Sequence, residues 1–81
     1  MIISIRNLPE KTTLNEVRHF FPGDKRLVNV HFSDTGNPHK LIAWVKFNDL
    51  SRTELNQLVH RLNNYYYKNQ KLHAYAPLFF N

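Results

Sequence analysis

The chain has 81 residues, no cysteine and a formal net charge of +5 at pH 7, with an isoelectric point near 9.8. This length suits one small domain, and the lack of cysteine excludes disulfides and thiolate metal sites, so the core alone must stabilise the fold. No apolar run approaches the roughly 18 residues of a membrane span, and the first residues lack the layout of a signal peptide, so we expect an intracellular protein with an acidic partner and no membrane contact.

A strand and a short helix are predicted first. Ile2 to Asn7 alternate between apolar and polar residues, which is typical of a half-buried strand, and Leu8-Pro9 ends it. Thr13 and Glu16 have the spacing of a capping box, so a helix should begin there. The apolar residues at helical spacing, before Pro22-Gly23 ends the helix, are Leu14, Val17 and Phe21.

A hairpin is predicted next. Leu27 to Phe32 alternate again, with Val28 and Val30 on one side of the strand. The segment from Ser33 to Pro38 is rich in turn-forming residues. It should therefore connect the second strand to an antiparallel third strand over Lys40 to Phe47.

A second helix and a fourth strand complete the pattern. Ser51 and Glu54 form another capping box, which marks the start of the helix. The apolar stripe that follows consists of Leu55, Leu58, Val59, Leu62 and Tyr66. Alternation from Lys71 to Tyr75 then predicts the last strand.

The element order strand, helix, strand, strand, helix, strand predicts an α+β fold of the ferredoxin-like βαββαβ type. Its four-stranded antiparallel sheet should have both helices on one face. We expect this domain to span residues 1–76, followed by a C-terminal tail over 77–81. The residues expected to face the helices are Ile3, Ile5, Val28, Val30, Ala43, Val45, Phe47 and Leu72. Those expected to face outward are Ser4, Arg6, Asn29, His31, Lys40, Ile42, Trp44, Lys46, Lys71, His73 and Tyr75.

The outward face is unusual for a surface in contact with water. On the third strand it places Ile42 and Trp44 between Lys40 and Lys46, and its residues include four Lys or Arg and no carboxylate. Nucleic-acid bases stack on aromatic rings, and phosphates are attracted to cations. The pattern therefore favours a nucleic-acid partner, although the low strand propensity of carboxylates explains part of it.

From end to end the chain resembles an RNA recognition motif (RRM). Ile3 to Leu8 is similar to the first signature hexamer of that family, and Lys40 to Phe47 is similar to its signature octamer. Val17 to Phe21 and Leu62 to Asn64 resemble its first-helix core and the end of its second helix. The resemblance implies single-stranded RNA lying across the open face of the sheet.

Three positions depart from the family pattern. Leu41 stands where glycine is usual, and Ile42 and Ser4 stand where aromatic residues are usual. Of the three stacking positions of the family, only Trp44 keeps a ring, so the resemblance implies that it is the main platform for a base. The full set of residues expected to contact RNA is Trp44, Lys46, Lys40, Ile42, Arg6, Ser4, His31, Lys71, His73 and Tyr75.

Two alternatives remain open. The segment Pro77-Leu78-Phe79-Phe80 is apolar enough to fold back over the sheet, and a patch of Ile2, Ile42 and Trp44 would also suit a protein partner or a homodimer. Peptide-binding members of the family have an acidic first helix and an Arg-x-Phe element before the last strand, and this chain has neither. A protein-interaction module is therefore the alternative to RNA binding.

Catalysis and metal binding find little support. The five histidines are scattered, at 19, 31, 39, 60 and 73, without the i, i+4 spacing of a zinc helix. Gly23 and Gly36 are the only glycines, so no glycine-rich phosphate loop is present. Acylphosphatases share this element order, but the loop at residues 8–11 lacks their arginine-bearing anion cradle. We expect no enzyme, cofactor, metal or small-molecule substrate.

Overall fold

The computed structural model describes residues 1–34 and 40–77. Most of the predicted turn over 33–38, and residues 78–81 of the predicted tail, lie outside the described residues. The elements are β1 (Ile2–Leu8), α1 (Leu14–His19), β2 (Leu27–Asp34), β3 (Leu41–Phe47), α2 (Arg52–Leu62), β4 (Tyr66–Tyr67), β5 (Gln70–Lys71) and β6 (His73–Tyr75).

The main sheet has the strand order β2-β3-β1-β6, and its neighbouring strands are antiparallel. Ile3 pairs with Val45 and Ile5 pairs with Ala43, so alternate residues of β1 and β3 point together toward the helices. This arrangement confirms the predicted ferredoxin-like α+β fold.

Both predicted capping boxes begin a helix. The Thr13 hydroxyl accepts a hydrogen bond from the backbone N–H of Glu16 at 3.2 Å, and the Ser51 hydroxyl accepts one from Glu54 at 3.1 Å. Each glutamate in turn accepts from the backbone N–H of its capping residue. Two donors that the helix itself leaves unpaired are thus satisfied at each start.

The core lies between the helices and one face of the sheet. Phe47 is its largest fully buried side chain and packs edge to face against Phe21, with ring centroids 5.1 Å apart. α1 contributes Val17, and α2 contributes Leu55 and Leu62. Apart from Val28, every residue predicted to face the helices is buried.

The prediction for Val28 is wrong. Leu27 pairs with Phe47 and Asn29 pairs with Lys46, so one extra residue of β2 is inserted between these pairs as a bulge. The bulge shifts the alternation: Leu27 packs on the core, and Val28 is 48% exposed. Strict period-two reasoning fails wherever a bulge adds a residue to a strand.

The predictions for Tyr66 and for the fourth strand also need correction. α2 ends at Leu62, and Tyr66 is 68% exposed in β4 rather than on the helical stripe. β4 and β5 form a separate two-stranded ribbon in which Tyr66 pairs with Lys71. The predicted strand over 71–75 is therefore divided, with Lys71 in the ribbon and 73–75 in the main sheet.

Candidate nucleic-acid interface

The sheet surface opposite the helices is called here the helix-free face. Its central row crosses four strands, because His31 pairs with Trp44, Trp44 with Ser4, and Ser4 with Tyr75. A second row pairs Arg6 with His73. The main-sheet residues predicted to face outward thus share one surface, whose members are Ser4, Arg6, Asn29, His31, Ile42, Trp44, Lys46, His73 and Tyr75. Lys40 directly precedes β3 and is exposed.

Trp44 lies at the centre of this face and is partly buried. Its Nε1–H donates a hydrogen bond to Ser33 Oγ at 2.9 Å. Ser33 is on the neighbouring strand β2, so this contact restrains the indole against the sheet. Residues His31 and Lys46, which flank Trp44, are both exposed.

Two residues predicted to look outward are buried. Ser4 has no exposed surface and Ile42 is 5% exposed. Ser4 is a short side chain between Trp44 and Tyr75, both much larger, so water has little access to it. Its Oγ has no hydrogen-bond partner among the described residues, which is costly for a buried hydroxyl. Both residues therefore present far less surface to a ligand than alternation alone predicts.

Arg6 and Tyr75 form a coupled pair near one edge of the sheet. Arg6 Nη2 donates to the Tyr75 hydroxyl at 3.1 Å, and the guanidinium carbon lies 5.4 Å from the centroid of the Tyr75 ring. The tyrosine is 41% exposed. The pair presents a positioned cation beside an aromatic surface.

A depression of about 220 Å³ opens on the same face. Polar or charged side chains and an apolar floor line it. The polar residues are Arg6, Asn7, Lys40 and His73, and the apolar residues are Leu41 and Ile42. Its charge suits an anionic group, and its floor suits an uncharged ring or sugar.

Lys71 lies beside this face rather than in the main sheet. Asn7 bridges the two parts: its side-chain amide donates to the Lys71 carbonyl at 2.9 Å, and its own carbonyl accepts from Gln70 Nε2 at 2.8 Å. Asn7 has a φ of 68°, a left-handed conformation that asparagine tolerates better than most residues. The Lys71 side chain itself is exposed.

The described acidic side chains that form ion pairs lie away from the helix-free face. Glu16 accepts from Lys68 Nζ at 2.7 Å and from the Tyr67 hydroxyl, and these bonds lower its pKa to about 2. Arg26 pairs with Asp24 at 3.0 Å and with Glu54. Hydrogen bonds from Arg26 lower the pKa of Asp24, and a backbone hydrogen bond from Ser51 is the main cause of the lowered pKa of Glu54. These three carboxylates are therefore paired with cations other than those of the helix-free face.

Sequence reasoning missed Ser33 and Asn7. The turn-forming composition of residues 33–38 predicts that Ser33 lies in the turn, although continued alternation from His31 places it on the helix-free face. The alternation predicts Asn7 only as the end of a strand, and no sequence signal marks its bridging bonds. Within residues 1–34 and 40–77, no group of three or more His, Cys, Asp or Glu is placed to hold a metal ion. The described helices are also too short and polar for any of them to cross a membrane.

The strand order and the two helices on one side of the sheet, together with similarity to solved RRM structures, define an RRM-like domain. No protein-family model and no curated protein sequence matches the chain. Among solved structures, Pes4 RRM3 superposes with a TM-score of 0.79 at 24% identity, covering 99% of this chain and 94% of that one. Mip6 RRM3 superposes with a TM-score of 0.73 at 25% identity, covering 90% and 87%.

A third similar structure is the Rna15 RRM with bound RNA (GU). It has a TM-score of 0.74 at 15% identity and covers 96% of this chain and 83% of that one. At this level of identity the likeness concerns the fold.

Proposed function

We propose that this protein is a non-catalytic RNA-binding module that holds single-stranded RNA across its helix-free face. The observation that carries the proposal is the composition of that face: Trp44 at its centre with Lys46, Lys40 and Arg6 around it. Similarity to RRM structures, one of them the Rna15 RRM with bound RNA, supports the same function.

Trp44 supplies the stacking surface in this proposal. A base packs on the exposed part of the indole, while the hydrogen bond to Ser33 holds the ring in place at little further entropic cost. Tyr75 provides a second ring two strands away, steadied by Arg6. Ser4, between the two rings, keeps the surface low; because it has no exposed surface, it makes no direct contact with RNA in this proposal.

The cations hold the phosphates. Lys46 and Lys40 lie at either end of β3, so a strand of RNA passing over Trp44 runs between them. Lys71 adds a further exposed cation beside the face, and the exposed side chains of His73 and His31 extend its polar surface over β6 and β2. Ile42 forms the apolar floor of the depression beside Arg6.

Charge-neutralising variants test this function. In fluorescence anisotropy with a short labelled single-stranded RNA of mixed sequence, we expect Lys40→Gln/Lys46→Gln to weaken binding about tenfold, since each lost phosphate contact also lowers counterion release. The matched control is Lys11→Gln/Arg52→Gln, which removes the same net charge from exposed residues outside the face. Equal losses in the two double variants would mean that binding reflects net charge rather than this site.

A further inference from the structure

A second surface lies on the helix side of the protein, at the end of α1. Two depressions of about 250 and 500 Å³ meet there, because His19 and Pro22 line both of them. We call them together the helix-side groove; its main exposed side chains are Arg18, His19, Pro22, Lys25, Arg61 and Tyr65.

The apolar part of the groove is built from aromatic rings already packed on one another. Phe20 meets Tyr65 edge to face with centroids 6.2 Å apart, and it meets Tyr67 in the same way at 5.1 Å. Tyr65 is 48% exposed, and Leu62 lines the groove beside it. Since Phe20 is engaged by two neighbours, the groove offers a slot for a side chain rather than a flat platform for a base.

The rim of the groove is positively charged. Arg18, Lys25 and Arg61 are exposed. The carboxylate in the described lining, Asp24, is already paired with Arg26 at 3.0 Å. Arg61 is held in place, because it donates to the Phe20 carbonyl and its guanidinium carbon lies 5.8 Å from the Phe21 ring centroid.

We propose that the helix-side groove docks an acidic segment of a partner protein that carries one large apolar side chain. The slot between Pro22 and Tyr65 takes the apolar side chain, and Arg18 and Lys25 meet the acidic residues around it. This surface is separate from the helix-free face, so the protein binds RNA and the peptide at the same time without competition between them.

Synthetic peptides test the proposal with the full chain. The probe is a short peptide of Asp and Glu around one central Trp, and its controls replace the Trp with Ala or the acids with Ser. In a ¹⁵N chemical-shift titration we expect perturbed amides at His19, Gly23 and Tyr65, with the β3 amides unmoved. Only the probe should bind well, because the slot needs the apolar side chain and the rim needs the acids.

Variants locate the contact. We expect Arg18→Gln/Lys25→Gln to weaken peptide binding about fivefold, because two exposed charge contacts are lost. Tyr65→Ala should weaken peptide binding about tenfold. Lys11→Gln/Arg52→Gln and Lys40→Gln/Lys46→Gln, which remove the same charge elsewhere, should bind it like the parent chain. The ¹⁵N spectrum of each variant checks its fold.

Three results would overturn the proposal: no saturable shift with the probe, equal binding of the Ala-substituted peptide, or shifts gathered on β3. A fourth is that single-stranded RNA perturbs the groove amides as strongly as the peptide does, which would assign the groove to phosphates. Loss of RNA binding in the Trp44 variants would leave the proposal intact.

Discussion

Replacing Trp44 with alanine is the sharpest perturbation of the proposed RNA site. The change removes the central ring of the helix-free face, whose neighbours in the central row are His31 and Ser4. One lost base stack costs about 1–3 kcal/mol, so the Kd should rise roughly 5-fold to 150-fold. Tyr75 lies two strands away, about 10 Å at a strand spacing of about 4.8 Å, so its loss should add to that of Trp44.

The assay is anisotropy of a short labelled RNA, below the melting temperature of every variant. Trp44→Phe keeps a ring and should lose less affinity than Trp44→Ala. Ser33→Ala keeps the indole but removes the hydrogen bond that restrains it, and we expect a small loss. A folded Trp44→Ala variant that binds RNA as tightly as the parent chain would refute stacking at this position.

Four further predictions concern stability and charge. Ser4→Ala should raise the free energy of unfolding by about 1 kcal/mol, because it removes a buried hydroxyl without a partner among the described residues; a loss in chemical denaturation would contradict this. Asn7→Ala should lower the free energy of unfolding by about 1–2 kcal/mol, because alanine tolerates the left-handed backbone conformation of this position poorly. Asn7→Gly should lower it less, because glycine adopts that conformation readily. Glu16 has a pKa lowered from 4.5 to about 2, so its stabilising contribution is complete above pH 4.5 and disappears as the pH falls toward 2. In Glu16→Gln, the free energy of unfolding should therefore depend less on pH in that range than in the parent chain. An unchanged pH dependence would show that Glu16 does not stabilise the fold in this way. If Arg6, Lys40, Lys46 and Lys71 each contact a phosphate, log affinity should fall against log salt with a slope of roughly −3, whereas a slope near zero would exclude phosphate contacts.

The fold could be predicted because its signals are local. Capping boxes at Thr13 and Ser51 set the helix starts, and alternation in β1 and β3 set the sheet faces. The predictions for Val28 and Tyr66 are wrong because the bulge in β2 and the β4–β5 ribbon depend on pairing between strands. Local sequence patterns do not reveal that pairing.

The candidate site could be predicted less completely. Alternation assigned Ser4 and Ile42 to the correct side of the sheet, but their exposure depends on the neighbours that surround them in space. The Ser33 contact with Trp44 and the Arg6 contact with Tyr75 join residues that are 11 and 69 positions apart. Such contacts follow from sheet register, which becomes known only once the strands are paired.

The most direct test of the proposed function is a ¹⁵N chemical-shift titration with short mixed-sequence RNA at two salt concentrations. RNA binding across the helix-free face predicts perturbed amides on β1 and β3 and a shift in the Trp44 indole N–H, all weaker at high salt. Perturbations confined to α1 and α2, or none at low salt, would contradict it.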